Sequence, residues 1–376
     1  TFILISALSL LGSFSFLDSR IAPGGENQLF SSPGVLNGDP GTGLVGNIVY
    51  DRTEGASSVT FEVKAVTLDS TANGSPIFAG TAGEDVFYGT GANNEYQNIG
   101  PNDIVVDQGA GFETFRVTAL DFARIAGESS GTNRLSLEAG GEFNFIDLPG
   151  TALDNINELV LASGSQQIIV LDDQAILKIM DETAGNGPLT ITSFATEGDK
   201  VQLFGDFNPG MVSTSTEYTS PLTSVSISDG VLVEIFRSDG TTGFFGTSQG
   251  ESLIGTGGDD RIDARAGDDS IDAQGGNDLI IFDSLDTGTI NGGTEIDTLV
   301  VLGDSLDLTG VDNLVNFEKV DLQFGSLNVN FADLFGTGSF LEAGAIDVFS
   351  TDPSFGDHQL LINGDTANGL TIEGVD

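Results

Sequence analysis

Apolar residues along the chain come in short runs with a period near two, bounded by Gly, Asn, Asp or Ser. The runs VTFEVKAVTL, NDIVV, FETFRV, NELVL, QQIIVL, VLVEIF, DTLVVL, KVDLQF and LTIEGV all have this form. Such runs predict many short strands, because successive side chains in a strand point to opposite faces. No long 3.6-residue period with caps is present; short helical turns are expected near Asn313–Lys319 and Leu171–Ile176. SISDGVLVEIF predicts a hairpin turning at Asp229–Gly230.

A finer period lies inside this pattern. From Gly255 the chain reads GTGGDDRID, ARAGDDSID, AQGGNDLII, with glycine fourth, Asp260, Asp269 and Asp278 sixth, and Ile262, Ile271 and Ile280 eighth. After a degenerate stretch, GGTEIDTLV puts Asp297 in the sixth place. An earlier block, starting at Gly80, has Asp85, Asn94, Asp103 and, after one extra residue, Glu113 in that place. A larger repeat joins the blocks to their flanks: GAGFETFRV matches GGTEIDTLVV, NINELVL matches NFEKVDL, and TAGNGPLTI matches TANGLTI. The middle pair is offset differently from the other two, so either loop lengths differ or that match is chance.

The expected organisation is an apolar N-terminal arm and linker over 1–43, a β-hairpin module over 44–79, a first block over 80–118 and a β module over 119–250. A second block over 251–303 and a shortened β module over 304–376 follow. On this reading the natural chain continues past Asp376, or its last module is short by design. The opening TFILISALSLLGSFSFL lacks charge before Asp18 and suits neither a membrane helix nor a signal peptide. It reads as an element of its own domain, or as an arm (Leu8–Leu17) buried in a neighbouring subunit.

Charge changes the picture. The chain has 56 Asp+Glu against 12 Lys+Arg, a net charge of -44. Such an excess argues against nucleic acid and anionic membranes as partners, and for solubility or divalent cations. Absence of cysteine excludes disulfides and thiolate metal sites. The 52 glycines accompany only 10 prolines and plentiful aliphatic residues, so glycine serves turns in a folded chain.

Calcium takes six to eight oxygen ligands from carboxylates and carbonyls. In each nine-residue unit, glycines let the backbone turn its carbonyls inward. The sixth residue supplies charge, and the eighth enters a thin core. One unit makes a turn and a strand, and two make a coil, so an ion lies between turns one coil apart. That pairs Asp260 with Asp278, Asp85 with Asp103, Asp269 with Thr287 and Asn94 with Glu113. Gly255, Gly257 and Asp297 complete the expected metal-site residues.

The units resemble the RTX family, whose repeat is GGxGxDxUx. That resemblance implies a parallel β-roll, calcium binding, type I secretion and folding in extracellular calcium. GGTEIDTLVV, NFEKVDL and LLINGDTANGLTI are similar to segments of large RTX adhesins and surface-layer-like exoproteins. Ala264 and Ala273 replace first-place glycines, and Glu295 stands where a glycine belongs. No type I secretion signal is recognised at the end of the chain, which fits truncation.

Other chemistry is sparse. His358 is the sole histidine, and there is no HExxH. GTSQG (Gly246–Gly250) and GESSG (Gly127–Gly131) match a nucleophile elbow, which requires a following helix that the sequence does not offer. GTGLVG (Gly41–Gly46) precedes a strand, so a dinucleotide site is not expected. With no Trp and four Tyr, there is little platform for a saccharide.

The expected fold is all-β: two short parallel β-roll blocks alternating with β-sandwich or solenoid-like modules. The expected function is non-enzymatic: an extracellular, calcium-stabilised structural protein at the bacterial cell surface, forming a filament or surface layer. It would be a homo-oligomer or polymer through the N-terminal arm, without a transmembrane span, serving adhesion or biofilm. The alternatives are a spacer of a large monomeric RTX adhesin and an RTX exoenzyme acting on polysaccharide.

Overall fold

A computed structural model describes residues 77–80, 82–89, 93–107, 111–180, 187–194, 198–212, 215–282, 288–301 and 314–322. Outside these it describes only the strands 32–35, 45–48, 50–54, 59–63, 65–67, 305–307, 326–330, 347–349 and 360–363. The Leu8–Leu17 arm, GTGLVG before Val45, Thr287, His358 and the TANGLTI segment lie outside the described residues. The chain divides into two compact units, Thr1–Gln167 with Gln174–Ala195 and Ile168–Asp173 with Thr196–Asp376.

In the first unit, β-strands alternate between two sheets. One runs Ala65–Thr67, Asp85–Gly89, Ile104–Asp107, Arg124–Ala126, Leu153–Asp154. The other runs Ile77–Ala79, Glu95–Ile99, Phe112–Val117, Thr132–Leu137, Glu158–Leu161, Leu189–Ser193. Every neighbouring pair is parallel, and each strand joins the next but one in sequence up to Thr132–Leu137. The chain is therefore a coil of two strands per turn. Before it, Tyr50–Glu54 and Val59–Val63 pair as an antiparallel hairpin.

The eighth residue of each nine-residue unit sets the core. Phe87, Tyr96, Val105 and Phe115 are fully buried. Phe78, Tyr96 and Phe115 are register neighbours and stack with ring centroids 4.9 and 5.2 Å apart. Phe87 meets Tyr96 edge-on at 5.9 Å from the opposite sheet. Stacked and edge-to-face aromatic pairs add about 1 kcal/mol each beyond their area. Leu135, Leu159 and Ile191 continue the same row, so the coil runs on past the first block with longer turns.

The second unit repeats the scheme. Thr242–Phe245, Asp260–Asp263, Leu279–Phe282, Thr298–Val301, Lys319–Leu322 and Asp347–Phe349 form one parallel series. Ser252–Ile254, Ser270–Asp272, Ile290–Asn291 and Leu314–Val315 form the facing one. Ile262, Ile271, Ile280, Leu299 and Val320 fill the space between. Upstream, Ile168–Asp172 pairs with Lys200–Phe204, and that with Leu232–Phe236, again in parallel. Asn208–Val212, Ser215–Thr219 and Ser224–Ser228 form an antiparallel meander.

Two local expectations are corrected. Asp229–Gly230 is not a hairpin turn: Ser224–Ser228 pairs with Ser215–Thr219, whereas Leu232–Phe236 pairs with Lys200–Phe204 and Thr242–Phe245. Gly230, at φ +92, turns a corner between sheets. The hairpin lies one turn later, at Arg237–Thr241, where Gly240 has φ +91. Near Asn313–Lys319 the described residues are not helical but strand Leu314–Val315, a turn, and the start of Lys319–Leu322. The one helix among the described residues is Asp173–Met180, close to the other expected place. Ala175, Ile176, Ile179 and Met180 form its buried face, with Asp173 in its first turn and Lys178 in its last, complementing the helix dipole.

Candidate metal centre

Each sixth-place residue sits where a turn gives way to its strand, and the parallel register stacks these residues coil upon coil. In the second unit the stack is Asp260, Asp278, Asp297 and then Glu318. The carboxylates are tied by one repeated bond. Asp278 Oδ1 accepts from the N–H of Asp260 at 2.8 Å, 18 residues back. Asp297 Oδ1 accepts from Asp278 N at 2.9 Å, 19 back, and Glu318 Oε2 from Asp297 N at 2.8 Å, 21 back. On the facing edge Asp269 Oδ1 accepts from Glu251 N at 2.6 Å. In the first unit Asp103 Oδ1 accepts from Asp85 N at 2.7 Å, and its Oδ2 from Gly100 N at 2.7 Å. Register also places Glu113 beside Asn94. Asn94 Nδ2 and the Tyr96 hydroxyl both donate to Asp107 Oδ2, each at 2.6 Å.

The remaining oxygens decide what the stack can hold. Asp260, Asp269, Asp278, Asp297, Asp85, Asp103 and Glu113 are all buried. Asp278 Oδ2, Asp297 Oδ2 and both Glu113 carboxylate oxygens are buried with no hydrogen-bond partner. Burial first, then the neighbouring acids, push Asp278 up to about 7. Asp297 is pushed up to about 6 by burial and then the charge of Glu318. Glu113 is pushed up to about 7 by burial and then Asp107; backbone N–H groups of Asn93 and Glu113 oppose the shift, though neither oxygen has a partner in hydrogen-bonding geometry. Asp103, Asp260 and Glu251 are also raised, burial being the largest cause in each. Buried, stacked carboxylates with unsatisfied oxygens are costly unless a cation joins them.

Gly255 and Gly257 part company. A Cβ at Gly255 would stand 2.6 Å from Ala273 O and 2.8 Å from Asp260 Oδ2. The same conjunction of the unit's own acid and a carbonyl one coil on surrounds Gly80 (Asn98 O, Asp85 Oδ2) and Gly292 (Asn316 O, Asp297 Oδ2). A first-place glycine thus lets carboxylate and carbonyl oxygens converge on one turn. Gly257 is exposed, and a Cβ there would meet nothing within 4 Å. Asp269 is not opposite the Thr287 position: Ile271 faces Ile290, so one extra residue shifts the register and Gly288 follows Asp269 in the stack. Among the described residues, no three His, Asp or Glu side chains gather about one point. A cation here draws on few carboxylates and many backbone oxygens, a set suited to calcium and free of nitrogen or sulfur donors.

The first turn on each edge closes on itself. Asp260 accepts from Thr256 N at 2.5 Å and from its hydroxyl, and Glu251 accepts in the same way from Thr247. Residues 245–280 match the model of the RTX calcium-binding nonapeptide repeat, in four copies. The chain carries a region of RTX calcium-binding repeats. No curated protein and no solved structure matches it. The RTX match starts before Gly255 and takes in GTSQG, which sequence reasoning set aside as an elbow-like coincidence. That stretch is a further repeat with Glu251 sixth and Leu253 eighth, and Ser252–Ile254 pairs in register with Ser270–Asp272. Glu318, Asn133 and Asn157 were missed too. For Glu318 and Asn157 the signal was present in the match of NINELVL to NFEKVDL: Asn155 and Asn316 each lie two residues before the stacked position, with φ +56 and +60.

Proposed function

We propose that this protein is an extracellular structural protein whose coils are held by calcium, and that it assembles with copies of itself into a surface filament or layer. RTX repeats are calcium-binding and typical of secreted proteins. The stacked carboxylates of Asp278 and Asp297 carry the reading, since each keeps one buried oxygen without a partner, and such oxygens call for a cation that extracellular fluid supplies at millimolar levels. Calcium, when bound, neutralises the stack and bridges its turns. The chain's own part is positional. Backbone N–H groups one coil earlier fix one oxygen of Asp278 and of Asp297, leaving the other for the ion. Among the described residues Ile77–Ala79 is the last strand of its sheet, and Ile77 is 61% exposed. Such edges pair readily with another chain.

Size measurement by light scattering in calcium and in EGTA tests this. Particles larger than one chain that dissociate in EGTA are expected. A single-chain mass in both conditions favours a monomeric adhesin spacer instead, and turnover of an acidic polysaccharide would point to an exoenzyme.

A further inference from the structure

We propose a cation site between Glu113 and Asn133, one coil beyond the last nine-residue unit of the first block, that takes a hard divalent ion such as calcium. The two residues are direct register partners on adjacent parallel strands, Phe112–Val117 and Thr132–Leu137, and both are fully buried. Parallel partners project to the same face about 4.8 Å apart. Both carboxylate oxygens of Glu113 lack a hydrogen-bond partner, and so does Asn133 Oδ1. The orientation of the Asn133 amide is fixed by its donors: Nδ2 gives to Glu128 O at 2.8 Å and to Asn155 O at 2.7 Å. The oxygen is therefore the end left over. Asn133 N donates onward to Asn157 Oδ1 at 2.7 Å, so Asn133 sits in the same stacked place as the acids of the second unit.

Backbone oxygen is close by. A Cβ at Gly131 would lie 2.7 Å from Gly111 O and 2.8 Å from Glu113 Oε2, so glycine there lets a carbonyl and a carboxylate oxygen approach each other. No arginine on these strands compensates Glu113. Arg116 is held between Glu95 and Glu138, and Arg134 by Glu158. The Glu113 carboxylate together with Asn133 Oδ1 and Gly111 O offers four oxygens, and water would complete calcium's six to eight. The sequence conceals it, because Asn133 replaces the acid and GESSG looks like an elbow. In register, Gly131, Asn133 and Leu135 occupy the fourth, sixth and eighth places.

This site uses none of the residues of the second block, so its test is separable from the proposed function. Calcium is titrated calorimetrically into the full chain, the Glu113→Gln, Asn133→Asp and Asp278→Asn variants, with folding checked by circular dichroism. Glu113→Gln, which keeps the side chain's shape, should remove one binding event and leave the others intact. Asn133→Asp should tighten that event about tenfold by adding ligand charge. Unchanged stoichiometry in Glu113→Gln would overturn the site and leave Glu113 as a buried structural carboxyl. If Glu113→Gln fails to fold, an Asn133→Asp titration identical to wild type overturns it equally. Loss of events only in Asp278→Asn would sink this site while sparing the second block.

Discussion

Asp278 has one oxygen bonded to the N–H of Asp260 and one with no partner, in a buried place between two other acids. That arrangement makes opposite demands with and without metal. Asp278→Asn should stabilise the calcium-free protein by about 1 kcal/mol, because a buried charge is removed. It should weaken calcium binding at least about tenfold, because a ligand charge is lost. Urea unfolding in EGTA and calcium titration read the two effects; destabilisation in EGTA would contradict the account. Glu295 stands in a glycine place and has φ +89. A Cβ crowds the backbone carbonyl there and costs about 1 kcal/mol, and Glu295 also adds to the repulsion on Asp297. Glu295→Gly should therefore stabilise the protein in EGTA by about 1 kcal/mol, read as a higher urea midpoint, and a lower midpoint would show that the carboxylate is needed. Asp260, Asp278 and their spacing were legible in the sequence because the motif is intact there. Gly257, which lies open, illustrates the limit: its motif position is right, but the turn leaves it without a close contact.

At the scale of a coil, acids in the stack couple folding to pH. Without metal, Glu113 and Asp278 titrate at about 7 and Asp297 at about 6, whereas such groups titrate near 4 in an unfolded chain. Between about pH 4 and 7 the folded chain keeps protons that the unfolded chain has released, so stability falls as pH rises through that window. In EGTA the urea midpoint should be higher at pH 5 than at pH 7.5. In saturating calcium the order should reverse, since protons and calcium compete for the same oxygens. The same order in both conditions would rule out a shared site. Strands were readable from the period of two, and their cores from the eighth places. The partner of each strand was not. The local turn at Asp229–Gly230 looked like a hairpin, yet the chain uses Gly230 to cross between sheets, because parallel pairing with Lys200–Phe204 takes up Leu232–Phe236. Asp269 shows the same limit: one inserted residue moved its neighbour from the Thr287 position to Gly288.

In each unit the winding of the block carries on into part of its flanks. Thr132–Leu137 and Glu158–Leu161 extend the first block's sheet, and Lys319–Leu322 extends the second's. NINELVL and NFEKVDL are equivalent rungs of their respective coils, so the match that sequence spacing left open has a structural basis: the intervening turns differ in length. Glycine-serine motifs at Gly246–Gly250 and Gly127–Gly131 misled for a related reason, since a coil turn and a nucleophile elbow both need small residues around a tight bend. The account's central claim is that calcium, bound by the stacked acids, holds these coils in shape. Amide hydrogen exchange of residues 251–301, followed in calcium and in EGTA at one pH, tests it most directly. The account predicts that the N–H groups of Asp260 and Asp278, which bond to the carboxylates one coil on, exchange at least about tenfold more slowly in calcium. Equal exchange rates with and without the metal would contradict it.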